Sequence, residues 1–370
     1  MKIAYISLHW PRYETSSIGK KISLQLQTWQ NAGHEVIFFS HMHSPHETDA
    51  LVEGERFIYK IKRGLAGFFK TEINRVAAAK KLIRAVNAYH PDLIYLRWSM
   101  YVFPIHRLAQ AAPIVLEINT NDLMEHKLLG GLMDFYNRLT RHIIFEVAKG
   151  LVFATRELSN SSSFTKFIKP AVVIPNGIDL SETPFYPAPE NEKPRLVFIG
   201  TSGMPWQGAE KLLGFADRFK DIQMDLVGFD SIKGVKDIPA NIALHGFLMG
   251  ADFEDILAKA DAAIGTMALH RKGMEEASSL KTRDVLARGI PCVLPYQDTA
   301  VSELNLKEVL QIPNTPDNIE THGQEIHDFV FAMSGKRITR DSLKGKISID
   351  MLESLRLDFF QKIQKSNSRP

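Results

Sequence analysis

The stretch that decides the architecture is Glu276-Ala277-Ser278-Ser279-Leu280-Lys281-Thr282-Arg283-Asp284-Val285-Leu286-Ala287-Arg288-Gly289-Ile290-Pro291. It runs directly into the apolar segment Cys292-Val293-Leu294. The pattern predicts a helix that starts near Ser279 and ends at the Gly-x-Pro sequence. A buried strand is then expected to follow, as in a layered α/β sheet.

Two acidic residues flank the start of this predicted helix. Glu276 and Asp284 are eight residues apart, so on one helix their side chains would point roughly 80° apart. The spacing is explained if Glu276 lies on the preceding loop and Asp284 lies one turn inside the helix. Both would then face a ligand at the helix N-terminus, where unbonded N–H groups and a partial positive charge favour phosphate. The sequence therefore predicts a diphosphate site here.

The bulk properties describe an ordinary globular protein. The chain has 370 residues, which favours two domains. The formal net charge of +3 does not indicate a nucleic-acid partner. The single cysteine, Cys292, fits a reducing compartment. No apolar run reaches the ~20 residues of a membrane span, and Cys/His groups at zinc spacing are absent from the sequence. We expect a cytoplasmic protein without a metal site.

Strands and helices alternate along the whole chain. Apolar strand patterns in the first part are followed by helical ones, and a second series begins after Pro175-Asn176-Gly177. Segment 181–194 is rich in proline and glutamate and is expected to be a linker. The predicted fold is α/β, with two Rossmann-like, doubly wound parallel-sheet domains facing across a cleft. Residues 1–175 and 176–345 are the predicted domains, and 346–370 is a predicted helix that packs back on the first.

Several short motifs occur in an order that resembles a known family. They are Ala32-Gly33-His34-Glu35-Val36, His90-Pro91-Asp92-Leu93-Ile94-Tyr95-Leu96-Arg97, Pro175-Asn176-Gly177-Ile178-Asp179, Phe198-Ile199-Gly200 with Trp206-Gln207-Gly208, His245-Gly246-Phe247, and the stretch from Glu276 to Pro291. Together they resemble the retaining GT-B glycosyltransferases of family 4, which use nucleotide sugars. The resemblance covers essentially the entire chain.

The resemblance implies transfer of a sugar from a nucleoside-diphosphate sugar, with retention of configuration and with neither a metal nor another cofactor. It implies that Glu276 contacts the sugar, and we expect Lys281 to be the second catalytic residue. Asp284 would bind the ribose, although the family more often has glutamate there. The remaining implied donor-binding residues are Ser278, Ser279, Leu280, Gly19, Gly200, Ser202 and Gln207.

One departure from the family pattern concerns the diphosphate. The family usually has an arginine and a lysine after the strand that ends near Gly200, but segment 201–208 of this chain contains neither. Lys281 is the expected substitute, because it lies in the first turn of the predicted helix. The alternative is a surface helix in which Lys281, Asp284 and Arg288 form ordinary i,i+3 and i,i+4 pairs.

Polar residues after two strands of the first domain are predicted to contact the acceptor. Arg97 follows one apolar strand, and Glu117, Asn119 and Asp122 follow the next. The alternative interpretations are a helix N-cap at Asp122 or its neighbour and a surface role for Arg97.

The segment from Lys60 to Arg84 has eight basic residues and one acid, with Phe68 and Phe69 among them. Such a pattern is typical of a membrane-surface patch, although a solvated basic helix is an equal alternative. The expected partners are thus a nucleotide-sugar donor and a glycan or lipid-linked acceptor. If the acceptor is lipid-linked, we expect the protein to contact the inner membrane face peripherally.

Two other functions remain open at this point. A GT-B nucleotide-sugar epimerase would act on the donor without an acceptor. A non-catalytic sugar-nucleotide-binding protein would account for the missing arginine and lysine. A dinucleotide oxidoreductase is disfavoured, because no Gly-x-Gly-x-x-Gly sequence follows the first strand.

Overall fold

The computed structural model describes residues 1–46 and 50–367. The chain forms two compact units. Unit 1 comprises Met1–Pro175 and Ile349–Pro370, and unit 2 comprises Asn176–Ser348. Each unit contains one large parallel sheet with helices, so the predicted α/β class is confirmed. None of the helices within the described residues is long and apolar enough to cross a membrane.

Unit 1 is built on a seven-stranded sheet with the order β3-β2-β1-β4-β5-β6-β7. Its strands are β1 Lys2–His9, β2 Glu35–His43, β3 Glu55–Tyr59, β4 Leu93–Arg97, β5 Ile114–Ile118, β6 Gly150–Phe153 and β7 Ala171–Val173. Its first helices are α1 Ser17–Asn31, α2 Leu65–Tyr89, α3 Asp122–Leu129, α4 Gly131–Val147, α5 Arg156–Asn160 and α6 Ser162–Thr165, with a 3-10 helix at Ile105–Gln110. Because both faces of the central strands are covered, β1, β4 and β5 are almost continuously apolar and buried.

Unit 2 repeats this topology with six strands in the order β10-β9-β8-β11-β13-β15. The strands are β8 Arg195–Ile199, β9 Gln223–Val227, β10 Ile242–Leu244, β11 Ala262–Ile264, β13 Cys292–Leu294 and β15 Val309–Gln311, with a separate pair formed by β12 Glu276–Ala277 and β14 Gln297–Asp298. The helices are α7 Lys211–Arg218, α8 Gly250–Lys259, α9 Leu280–Ala287, α10 Asn318–Thr321, α11 Gly323–Met333 and α12 Asp341–Ile347, with 3-10 helices at Pro205–Gln207, Leu269–Lys272 and Ser302–Leu304.

In each sheet the strand order reverses once, between β1 and β4 in unit 1 and between β8 and β11 in unit 2. Ligands of open α/β sheets bind outside the carboxyl ends of the strands at such a reversal. The topology therefore gives each unit one natural ligand position.

The segment 181–194 belongs to unit 2 and packs on it. The Tyr186 hydroxyl donates to Glu254, and the Asn191 side chain donates to Asp261 at 2.7 Å. The chain passes from unit 1 to unit 2 before this segment, at Pro175 and Asn176, and returns at Ser348 and Ile349.

The last helix, α13 Ile349–Asn367, is part of unit 1. Phe360 is fully buried and makes an edge contact with Trp29 at 5.4 Å between ring centroids. The Trp29 indole N–H donates to Glu353 at 2.8 Å. The apolar contact and the polar one together fix α13 against α1.

Candidate functional site

In unit 2 a small pocket lies at the strand-order reversal. It is lined by residues at the carboxyl ends of β8, β11 and β13, namely Ile199, Gly265 and Leu294, and by Ser279 and Lys281 at the start of α9. The sequence thus places a helix N-terminus and a lysine at the position that the topology favours for a ligand. Glu276 and Asp284 are outside this lining.

Lys281 is a cation without a carboxylate partner within the described part of the chain. Its ammonium donates to the Thr201 hydroxyl at 3.4 Å. Burial lowers the pKa of Lys281 to about 8. An ammonium that has lost water and gained no counter-ion is a ready binding group for an anion.

The N-terminus of α9 is capped by its own sequence. Ser279 has extended backbone angles, and its hydroxyl accepts from the Thr282 N–H at 3.5 Å. This long bond satisfies one of the first N–H groups. Among the residues that the structure describes, no acceptor lies on the N–H groups of Leu280 and Lys281. The cap therefore leaves donors for a bound anion.

A buried clamp holds the segment before α9. The Ser278 hydroxyl accepts from the Asn176 N–H at 2.7 Å and from the Arg283 guanidinium at 3.1 Å. Arg283 also forms a two-pronged ion pair with Asp298, at 2.9 and 2.8 Å, and both side chains are fully buried. Ser278 and Asn176 are thus engaged within the protein, and Arg283 fixes the start of α9.

Of the two acidic residues of the motif, Glu276 differs from its predicted setting, whereas Asp284 lies one turn inside the helix as predicted. Glu276 lies in the short strand β12 rather than on a loop, and it is buried. Asp284 is the fifth residue of α9, and its carboxylate is 3.3 Å from the Arg288 guanidinium. This is the i,i+4 pairing of the alternative interpretation. Contacts of Glu276 with a sugar and of Asp284 with a ribose stay predictions.

The loop after β8 has polar side chains but neither the arginine nor the lysine of the family pattern. Ser202 is exposed, whereas Gln207 is buried with its Oε1 lacking a partner among the described residues. Lys211 is the next cation in the sequence, but it does not replace the arginine and lysine of the family pattern. Its ammonium already donates to Met267 O, Thr315 O and Asn318 Oδ1 at 2.8 to 3.0 Å. Lys281 is the cation in the lining of the pocket.

Two of the predicted glycines have local reasons to be glycine. A Cβ on Gly200 would lie 2.0 Å from the Phe229 ring, and a Cβ on Gly19 would lie 1.8 Å from the Tyr13 carbonyl oxygen. Gly19 is in the first turn of α1, and its N–H donates to the N-cap Ser16. Close packing accounts for both residues, and their contact with a donor stays a prediction.

In unit 1 the predicted acceptor-side residues are held by a buried ionic cluster. Glu117, at the end of β5, accepts from Lys21 at 2.5 Å and from Arg97 at 2.9 Å. Burial by itself raises the pKa of Glu117, but the charges of Lys21 and Arg97 outweigh this effect and hold the pKa far below its usual range. Glu117 is therefore a buried carboxylate that positions two cations.

The cluster continues into the core of unit 1. Glu353 of α13 accepts from Gln25 at 3.1 Å and from Arg356 at 2.8 Å. Arg356 in turn donates to the Tyr95 hydroxyl at 2.7 Å. A polar network of this kind is stable only because its members satisfy one another.

Asn119 and Asp122 lie next to this cluster. Asn119 Oδ1 accepts from Lys21 at 3.2 Å. Asp122 is paired with Arg141 through two bonds of 2.8 and 2.9 Å and accepts from Asn137. Its neighbour Asn121 is the N-cap of α3, as the alternative interpretation proposed. Arg97, Asn119 and Asp122 line one pocket of unit 1, whereas Glu117 lies behind it.

Sequence reasoning missed the residues that make this pocket cationic and polar. Arg12 and Trp98 both line it and are 6% exposed. Arg12 comes shortly after β1, and Trp98 comes directly after β4. A position just after an apolar strand is the sequence feature that could have identified both as pocket residues. The remote partner Arg356 gave no such signal, because it comes from the last helix.

Comparisons with known proteins agree with this architecture. Residues 25–182 match the family model described as Glycosyltransferase Family 4. Among curated protein sequences, no match was found.

Several solved structures share the fold. Sucrose-phosphate synthase from Thermosynechococcus elongatus superposes with a TM-score of 0.70 at 13% identity, covering 99% of this chain and 100% of that one. Anabaena HepE, solved with UDP and glucose, gives 0.62 at 12% identity, with coverage of 98% and 100%. A protein described as a UDP-N-acetylglucosamine 2-epimerase from Listeria monocytogenes gives 0.56 at 13% identity, with coverage of 100% and 98%.

At these identities the structural likeness establishes the fold, and the family match covers the N-terminal part of the chain. The resemblance predicted from the sequence is confirmed: this chain has the GT-B fold and resembles the glycosyltransferases of family 4.

Proposed function

We propose that the protein transfers a sugar from a nucleoside-diphosphate sugar to a glycan or lipid-linked acceptor, with retention of configuration. The observation that carries this proposal is Lys281. Its ammonium is partly buried at the N-terminus of α9 and at the strand-order reversal of unit 2, and among the described residues its hydrogen-bond partner is the Thr201 hydroxyl. A diphosphate supplies the negative charge that this position lacks.

The chemistry needs stabilisation of the leaving group. The bond between the anomeric carbon and the diphosphate oxygen breaks, and a bond from the acceptor oxygen to that carbon forms on the same face. The acceptor proton passes to the departing diphosphate, so the step needs no dedicated protein base. Negative charge grows on the diphosphate as the bond breaks, and Lys281 with the N–H groups of α9 would stabilise it.

The other donor contacts follow as parts of this proposal. Glu276 would hold the sugar, Asp284 the ribose, and Arg283 would keep Ser278 and Ser279 in place through its pair with Asp298. We propose that the reaction needs no metal. The reason is that Lys281 and the N–H groups of α9 would carry out the charge stabilisation for which a metal would otherwise serve.

A membrane-linked acceptor is supported by an exposed apolar surface on unit 1. On α2, Phe69 is 61% and Ile73 is 68% exposed, and on α4, Leu132 is 65% and Phe135 is 64% exposed. The Arg75 guanidinium lies 5.7 Å from the Tyr136 ring centroid and thus joins the two helices. Large exposed apolar patches mark interaction surfaces.

The segment that carries Phe69 and Ile73 is also rich in basic residues. Of the cations between 60 and 84, Arg75 is buried and pairs with Glu72 at 2.6 Å, and the others are exposed. Exposed apolar side chains beside lysine and arginine fit the interface of an anionic membrane. We expect the protein to sediment with phosphatidylcholine vesicles that contain phosphatidylglycerol. The double variant Phe69→Asp/Leu132→Asp should not sediment, and the same change at Phe247, an exposed phenylalanine of unit 2, should have no effect.

Donor turnover tests the proposed function. The protein is incubated with UDP-, GDP- and ADP-sugars, with and without saccharide or lipid-linked acceptors, and the products are separated and their anomeric configuration is determined. A sugar transferred to an acceptor with its configuration kept supports the proposal. Inversion of configuration would overturn retention.

A nucleotide-sugar epimerase is the second candidate, favoured by the epimerase among the structural neighbours. It would change the sugar of the donor in the absence of any acceptor. A purely binding protein would retain the nucleotide without consuming the sugar nucleotide. The same product analysis separates these outcomes from transfer.

A further inference from the structure

The pocket of unit 1 holds chemistry that the donor site does not use. It lies at the carboxyl ends of β1, β4 and β5, where the strand order of this sheet reverses, and encloses about 400 Å³. That volume is in the range of ligand pockets. The residues that matter here are Arg12, Arg97, Trp98 and Asn119, all in its lining.

Arg12 is a buried cation without a carboxylate partner in the described part of unit 1. It is 6% exposed, and its guanidinium donates to the carbonyl oxygens of Trp10, Pro11 and Leu8 at 3.0 to 3.5 Å. Burial, together with the charge of Arg97, lowers the pKa of Arg12 to about 9. Carbonyl dipoles hold this guanidinium in place but leave its charge uncompensated.

The charges behind the pocket do not compensate it either. The cluster of unit 1 contains four cations, Arg12, Lys21, Arg97 and Arg356, against two carboxylates, Glu117 and Glu353, and none of these side chains is more than 12% exposed. A buried group of this composition favours an additional negative charge at its open side.

Three of the unsatisfied polar groups in the lining are hydrogen-bond donors, and the fourth, His126 Nδ1, donates or accepts according to the tautomer. Arg12 Nε, Trp98 Nε1 and Asn119 Nδ2 are buried donors with no partner among the described residues. A carboxylate or a phosphate is an acceptor and donates nothing when ionised. A neutral sugar hydroxyl would satisfy such donors less strongly, because charge-assisted bonds are about twice as strong.

The acidic groups in the lining are already engaged. Asp122 is bound by Arg141 and Asn137. Glu125 also lines the pocket and has an interaction partner of its own. The negative charge of Asp122 is balanced by Arg141.

We propose that this pocket binds an anionic group, a phosphate or a carboxylate, through Arg12, Trp98 and Asn119, and that the acceptor of the transfer carries this group. The second half rests on the proposed function, and the first does not. The substrate class follows: a phosphorylated or uronic-acid-containing acceptor rather than a neutral one.

Calorimetry with matched hexoses tests the pocket directly. Glucose, glucose 6-phosphate and glucuronate are titrated into the full-length Lys281→Met variant, in which the donor pocket has lost its cation. We expect one of the charged hexoses to bind at least about tenfold more tightly than glucose. Whichever binds identifies phosphate or carboxylate. Arg12→Gln and Trp98→Phe, each added to Lys281→Met, should weaken that binding by at least about tenfold.

Arg107→Gln is the matched control, because Arg107 is an exposed arginine of unit 1 outside the pocket lining. Trp98→Phe removes the N–H and keeps a ring against Phe145, which lies 5.1 Å away. It therefore tests the proposal even if Arg12→Gln fails to fold. Equal affinity for all three hexoses, or charged binding that Trp98→Phe leaves unchanged, would overturn the proposal. Because no turnover is measured, the result is independent of whether transfer occurs.

Discussion

In unit 2, Lys281 lies at the end of the sheet and donates to a threonine hydroxyl. In unit 1, at the equivalent position of a sheet with the same topology, Lys21 and Arg97 share the carboxylate of Glu117. One site holds a single cation beside a neutral hydroxyl, whereas the other holds two cations on a shared buried carboxylate and, close to them, Arg12 on carbonyl oxygens. Removing a charge should therefore cost activity in unit 2 and stability in unit 1.

The largest effect is expected from Lys281→Met. Loss of the cation should lower kcat/KM for the donor by at least about 100-fold, since charge on the departing diphosphate would be unmatched. The pKa of Lys281 is lowered by burial, so its charged form destabilises the ligand-free fold. The variant should then unfold at a temperature no lower than that of the wild type.

Lys259→Met is the control for this experiment, because Lys259 is exposed at the end of α8. It should retain activity. A Lys281→Met enzyme with normal kcat/KM, or one that lost activity only because it unfolded, would contradict the comparison.

In unit 1, Glu117→Gln should chiefly reduce stability. Two buried cations would lose their carboxylate, which costs about 3–5 kcal/mol in the free energy of unfolding. The pKa of Glu117 is depressed in the folded state, so its stabilisation is present above the unfolded pKa near 4.5 and is lost as the pH falls below it. The difference between variant and wild type should therefore shrink below about pH 4.5.

Chemical denaturation across pH measures this difference. Glu146→Gln, on the exposed face of α4, should change stability by less than about 0.5 kcal/mol. A Glu117→Gln variant as stable as the wild type at pH 7 would mean that the buried cluster contributes nothing.

The pH profile of the donor site sharpens the comparison. With a pKa of about 8, Lys281 loses its proton in the free enzyme as the pH rises, and kcat/KM should fall about tenfold per pH unit above that value. Lys281→Arg should remove the decline, because arginine stays protonated. An identical alkaline limb in Lys281→Arg would assign the decline to another group.

The smallest effect should come from the helix cap. Ser279→Ala removes one long hydrogen bond to the Thr282 N–H and should cost about 1 kcal/mol or less of stability. Donor affinity should change little, because Lys281 and the N–H groups of α9 remain. Thermal unfolding checks the first effect, and KM for the donor checks the second. A loss of activity as large as that of Lys281→Met would mean that Ser279 itself contacts the donor.

The sequence predicted the parts of this molecule that local patterns determine. Continuous apolar runs gave β1, β4 and β5, and the Ser-Leu-Lys start with its Gly-x-Pro end located α9 correctly. The pattern gave the pair of Asp284 and Arg288 only as an alternative, because a carboxylate near a helix start serves a ligand or a neighbour equally well.

Long-range partners account for most of what was missed. Arg356 donates to the hydroxyl of Tyr95, a strand residue 261 positions earlier in the sequence. Glu353 comes from the same last helix and is about as remote from that strand. Arg12 looked like an ordinary loop residue until its burial and its lack of a carboxylate were known. Charge balance in a core depends on which elements pack together, and a linear sequence does not show this.

The central claim is that Lys281 and the N-terminus of α9 bind a diphosphate. Isothermal calorimetry of UDP, GDP and ADP with the wild type and with Lys281→Met tests it most directly, since neither acceptor nor turnover is needed. We predict that one nucleotide binds the wild type and that Lys281→Met weakens this binding by at least about tenfold. Equal affinity of both proteins for every nucleotide, or no binding to the wild type, would contradict the claim.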